Sequence, residues 1–326
     1  MKKNLLIEGF RGVLILWIIL FHYTTRFGEL FGKTINCGFP NGGEVGVTMF
    51  FILSGCFFAR SVLDEKRYGL KEFVYFSINK YWRLYPAYLL SVILIYFITA
   101  YLGGLENREV DVETFLINLF LIYHPSIDYV DGAHWFIAAL IKIQIICATL
   151  LLVRKRRNLI LNIFAMITIS IILFLKILPC FFLNNILRVL FDSSLISFLC
   201  GMLFYIALNE REKKYWILPI ILGGALSIKI HLFLLPLYLG IFMILYSKNK
   251  YVLLFEKIHL FNSNIFLFIG RISFLWYLIH QNIGYALMLK IYPISEFLAV
   301  LLALITTFLI AVLINYCVSR IPQKIL

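Results

Sequence analysis

Apolar runs of roughly 18–25 residues, the length that carries a helix across about 30 Å of hydrocarbon, recur from one end of this chain to the other. Ten can be placed, at approximately 10–28, 45–63, 81–103, 133–153, 158–178, 186–208, 214–230, 231–247, 264–289 and 297–319. The seventh and eighth are short and divide near His231. Polar residues gather between the runs, which predicts an all-α polytopic membrane protein of about ten transmembrane helices. With no linker, internal repeat or low-complexity tract, residues 1–326 read as a single transmembrane domain.

Charge adds an orientation. Lys2 and Lys3, Arg60 to Lys80, the Arg154–Arg157 run, Arg211 with Lys213 and Lys214, Lys248 to Lys257, and Arg320 with Lys324 fall on alternate sides of successive runs. All of them therefore share one side, and the positive-inside rule makes it the cytoplasm, with both termini there. The longest opposite loop, 104–132, is acidic (Glu106, Glu109, Asp111, Glu113, Asp128, Asp131). At 62% hydrophobic and 14% charged, with mean hydropathy +0.92, the chain is excluded from the soluble classes. A signal peptide accounts for only one run. The net charge of +13 sits in short loops, so it reads as topology and headgroup contact, and no nucleic-acid partner is expected. The six cysteines show no CxxC or Cys/His spacing, so no metal is expected and they read as small packing residues.

Ionisable residues inside the apolar runs change the picture, because such groups are costly there and mark function. His22 lies eleven residues after Arg11. On a regular helix that is about 1100°, placing both on one face about 16.5 Å apart along the axis. Lys80 and Arg83 open the third run at i, i+3 spacing, and Arg271 opens the ninth, with His280 nine residues beyond it. Three helices thus present cations at the cytoplasmic boundary, where a polyanion can be held, and two histidines lie deeper at similar depth. Imidazole titrates near neutrality and suits general-base chemistry. Ser54 and Gly55 read as a close helix approach. His134 and Trp135 open the fourth run from the outer side, as a wetted histidine beside an interfacial tryptophan. His124, His231 and His259 read as loop or interface residues.

Taken together these residues resemble the acyltransferase 3 family of integral membrane acyltransferases, which includes bacterial enzymes that O-acetylate surface polysaccharides. The R/K-x10-H signature is similar to Arg11 through His22, followed here by Tyr23. A G-x-x-x-F-F-x-x-S-G-F element resembles Gly46 to Phe57, with Cys56 as an extra residue before the last aromatic. R-x-x-R-L-x-P resembles Lys80 to Pro86, and S-Y-x-x-Y-L-x-H-Q resembles Ser273 to Gln281. One departure stands out: after Trp135, where many members carry W-S-L-x-x-E, this chain has Phe136, Ile137 and, at the acidic position, Leu140. The SGNH domain fused to some relatives is not expected here.

The resemblance implies acyl transfer, with acetyl-CoA as donor and a glycan or lipid-linked sugar as acceptor, in a bacterial cytoplasmic membrane. Arg11, Lys80, Arg83 and Arg271 are then expected to hold the phosphates, and the pantetheine arm to run between helices toward His22. His22 is expected as general base or acyl relay, with Arg11, Tyr277 and His280 as its catalytic companions. A proton-coupled transporter using the same histidines and arginines is the alternative. It lacks the paired broken helices of two-halved transporters.

Overall fold

The computed structural model describes residues 5–103, 105, 108, 110–122, 128–177, 190, 192–210, 218–219, 221–222 and 263–320. The run predicted at 231–247 lies outside these residues, as do most of 214–230, the start of 186–208, His124, His231, His259 and Cys180.

Every regular element among the described residues is helical: α1 (Leu5–Phe31), α2 (Gly42–Leu63), α3 (Leu70–Leu102), the short α4 (Val112–Asn118), α5 (His134–Leu152), α6 (Arg157–Ile177), α7 (Ser193–Glu210), α8 (Asn264–Ile291) and α9 (Glu296–Val318). Five of them, α1, α2, α3, α5 and α9, are long and apolar enough to cross a membrane, and shorter apolar stretches lie in α6 and α7. The protein is an integral membrane protein. The 28-residue α8 carries Arg271, Ser273, His280, Gln281 and Asn282, and its stretch from Leu275 to Ala286 is wholly buried. It is the central helix, packed chiefly on α9 and α1, with α3 against a further side. Faced by protein rather than lipid, it has no need of an apolar surface.

Two departures from the expected helices matter for the site. The third helix starts at Leu70, well before the run at 81–103. Residues 70–80 alternate charge with aromatic rings that pack on the bundle, and Lys80 lies over the rings of Phe58 and Phe76 at 5.3 and 5.0 Å. An amphipathic extension of this kind reads as a basic loop when only hydropathy is counted. The first helix starts at Leu5, and a π-helical turn over His22–Arg26 interrupts it. π-turns of this type occur often at functional sites.

Backbones approach closely at two seams. A Cβ on Gly12 would stand 2.4 Å from the Phe266 carbonyl oxygen, and one on Gly270 only 1.8 Å from that of Glu8, which locks α1 to α8. The other seam joins α2 to α7, where Cβ atoms on Gly55 and Gly201 would meet the carbonyl oxygens of Phe198 and Ile52 at 2.0 and 1.9 Å. This is the small-residue packing expected at Gly55.

Arg157, read from sequence as a loop charge, is buried instead. Its guanidinium donates to the carbonyls of Val153 (2.9 Å), Val62 (2.8 Å), Arg67 (3.1 Å) and Glu65, tying down the turn between α2 and α3. Cys56, Cys147 and Cys200 are buried packing residues as expected, whereas Cys37 and Cys317 are exposed.

Candidate active site

A cavity of about 540 Å³ opens between α1, α2, α3, α5, α8 and the end of α9. Arg11, Lys80, Arg83 and Arg271, the four cations singled out on three separate helices, all line it. Arg83 and Arg271 are exposed, while Arg11 and Lys80 are half-buried. The Gly12/Gly270 seam explains part of this: it fixes α1 and α8 at the level of the adjacent Arg11 and Arg271. Pro86 follows Arg83 within α3 without ending the helix.

The cavity also holds residues the sequence reading passed over. Glu8 lines it, with Oε1 4.0 Å from Arg11 Nη1 and a buried Oε2 that has no hydrogen-bond partner. The i, i+3 spacing of Glu8 and Arg11 was the available signal. Gln144 reaches the same space with an unpartnered Oε1, and Ser54, read from sequence only as part of a close helix approach, lines it too. Leu140, which stands where the resembling motif has Glu, forms part of the wall. One carboxylate against four cations leaves the lining net positive, suited to phosphates.

Tyr277 and Phe136 also line this space, their rings 5.1 Å apart and edge-on. Neither His22 nor His280 does. The expected course of the pantetheine arm from Arg11 toward His22 is not traced by this cavity, whose lining includes Tyr277 of α8 and Phe136 of α5 but neither histidine. The rings of His22 and His280 lie 5.0 Å apart at 63°, and Tyr277 is 5.5 Å from His280.

The two imidazoles are held differently. His22 Nδ1 lies 2.9 Å from Tyr285 Oη. His280 Nδ1 lies 2.7 Å from the Tyr277 carbonyl, which only accepts, so that nitrogen carries the proton. The lone pair is then on Nε2, which is buried and without a hydrogen-bond partner. Tyr23, next to His22, donates to the His280 carbonyl at 2.6 Å and sits 3.1 Å from Thr307 Oγ1. Trp276 Nε1–H donates to the same Thr307 oxygen at 3.0 Å, fastening α8 to α9 beside the pair.

His134 is fully buried, contrary to its reading as a wetted residue, and Trp135 is half-buried. Its Nε2–H donates to the Leu278 carbonyl at 3.1 Å and lies 3.1 Å from Ser91 Oγ. Asp131, counted among the acidic loop residues, is also fully buried. Its carboxylate accepts the N–H of Ala133 at 2.8 Å and of Asn282 at 2.7 Å. In a regular helix Leu278 C=O and Asn282 N–H pair with each other. His134 and Asp131 supply each of them with a partner from outside, bracketing the turn that holds His280. Burial raises the Asp131 carboxyl to about 6, against the pull of those N–H groups and of Arg108.

Neither a curated protein nor a solved structure matches this chain. A family model does: the acyltransferase domain of the acyltransferase 3 type, over residues 4–316. That match takes in nearly all of the chain, including every helix that lines the cavity and both histidines. The chain belongs to the acyltransferase 3 family and is a membrane acyltransferase.

Proposed function

We propose that this membrane acyltransferase moves an acetyl group from cytoplasmic acetyl-CoA to a hydroxyl of a cell-surface glycan or lipid-linked sugar. The supporting observation is the convergence of Arg11, Lys80, Arg83 and Arg271 on one cavity whose inner wall, Tyr277, touches His280, which in turn touches His22. The cations take the phosphates of the donor through charge-assisted bonds. Ser54 and Gln144 offer polar contacts to the pantetheine amides further in.

In this reading Nδ1–H of His22 donates to Tyr285, leaving Nε2 as the base. The acceptor hydroxyl gives its proton to His22 as its oxygen attacks the thioester carbonyl carbon. A carbon–oxygen bond forms, the carbon–sulfur bond breaks, and CoA leaves as a thiolate that takes up a proton. The alternative within the same reading is transient acylation of His22 itself. Either course requires the wall of the cavity to open and admit the acetyl group. We further assign about ten spans, both termini in the cytoplasm, a single domain, and a bacterial cytoplasmic membrane.

The test is NMR of surface-polysaccharide O-acetyl groups in cells carrying the wild-type gene, a deletion, or His22→Ala at equal expression. Loss of the same signal in both altered strains is expected. Loss on deletion alone removes His22 from the mechanism, and no change in any acyl group overturns the reading.

A further inference from the structure

Loop 104–132 contains six acidic residues and one basic residue, Arg108. Positive-inside decoration explains the other cation clusters of this chain, but Arg108 lies on the opposite side from all of them, where that rule supplies no reason for a cation. Among the described residues it forms no ion pair either. The nearby Asp131 carboxylate is taken by two backbone N–H groups. Arg108 Nη1 is buried and has no hydrogen-bond partner. A buried donor on a permanent cation is costly to leave unpaired.

Its surroundings have the form of a cradle. The guanidinium carbon lies 5.5 Å from the centre of the Tyr285 ring, and Tyr285 Oη is the atom 2.9 Å from His22 Nδ1. On another side Gly132 leaves room: a Cβ there would stand 2.7 Å from Arg108 Nη2 and 2.8 Å from Gln281 Oε1. A guanidinium with an unpartnered Nη1 thus stands one aromatic ring away from the imidazole, and Arg108 is not among the residues that line the donor cavity.

We propose that Arg108 is the anion-recognising residue of the acceptor site, so that the acceptor carries a carboxylate or phosphate on the sugar whose hydroxyl is acylated. The guanidinium fork matches either group. The inference rests on the acyl-transfer reading for the meaning of "acceptor", and its test is read by binding alone. A failed acetylation experiment therefore leaves its outcome intact.

The experiment titrates the detergent-purified full chain with three probes: methyl glucuronide, glucose 1-phosphate and the neutral methyl glucoside. Wild type is expected to bind one or both anions more tightly than the neutral glycoside. Arg108→Gln should weaken anion binding by about 10- to 100-fold, the worth of a hydrogen bond to a charged group. Arg108→Lys, which keeps the charge and loses the fork, should fall between. Preference between the two anions identifies carboxylate or phosphate as the natural group. Arg83→Gln controls for anions held in the cytoplasmic cavity, and unchanged acetyl-CoA binding shows that Arg108→Gln is folded. If that variant loses acetyl-CoA binding too, Arg108→Lys decides: weakened anion binding supports the proposal and unweakened binding overturns it. Anions bound no better than methyl glucoside, or binding that follows Arg83 rather than Arg108, likewise overturn it.

Discussion

His22 Nδ1 and Tyr285 Oη lie 2.9 Å apart across 263 positions of sequence, joining the π-turn of α1 to the C-terminal half of α8. If His22 is the base, this contact sets its tautomer and its aim. Tyr285→Phe should lower kcat by roughly 3- to 10-fold, the worth of one neutral hydrogen bond, with KM for acetyl-CoA unchanged. His22→Ala should cost about 10²–10⁴-fold in the same assay. Acetyl transfer by purified protein, measured as free CoA thiol released in the presence of acceptor, checks both. Equal losses in the two variants would contradict the division of roles.

Arg83 stands exposed at the cavity, away from the histidines. Arg83→Ala should raise KM for acetyl-CoA about tenfold, as loss of a charge-assisted phosphate contact does, and leave kcat near its wild-type value. High ionic strength should narrow the difference between the two proteins. A fall in kcat at saturating donor would place Arg83 in the chemical step instead.

At the α1–α8 seam, Gly270→Ala puts a methyl group 1.8 Å from the Glu8 carbonyl oxygen, against backbone that has no side-chain freedom with which to yield. A loss of about 1–3 kcal/mol is expected from overpacking. It should appear as a lowered midpoint of thermal unfolding in detergent, together with weakened donor binding because Arg11 and Arg271 flank the seam. An unchanged midpoint would show that the helices separate at little cost.

Burial holds the Asp131 carboxyl at about 6, above its ordinary 3.8. The folded protein keeps this proton over a range where the unfolded chain has released it. The contribution of the group is therefore fullest below about pH 4 and is lost as pH climbs through about 6. Asp131→Asn removes that slope and leaves one backbone N–H without its acceptor, at a cost of roughly 1–3 kcal/mol. Unfolding midpoints of both proteins between pH 4 and 7 should therefore differ most at the acidic end and draw together as pH rises. A constant difference would mean that Asp131 does not titrate in this range.

The cluster of cations was legible in the chain because each sits near the start of an apolar run entering from the same side, and helical rise translates that position into depth. The neighbouring histidine rings follow from similar arithmetic on α1 and α8. Other features obey no such count. Tyr277 was expected beside His22 and Phe136 marked only a departure from the resembling motif, and packing alone sets their rings edge-on in the cavity wall. His134 looked wetted because it opens a run, whereas the 128–133 segment folds over it and Asp131 turns inward to cap a turn of α8. Arg108 was hidden by the acidity of its loop, although a lone cation among acids on the less basic side was itself a signal. The length of α3 was missed because its first turns set half-buried rings among charged residues, a pattern that hydropathy alone averages away.

The glycine seam between α1 and α8 has a mechanical consequence. Two backbones in contact at Gly12 and Gly270 move as one lever, so Arg11 and Arg271 form a fixed jaw. A donor that enters and leaves on every turnover then needs its clearance from the other jaw, α3, which carries Lys80 and Arg83, contains Pro86, and packs less extensively on α8 than α1 does. Pinning α3 to its neighbours should slow product release while leaving the chemistry of a single turnover intact.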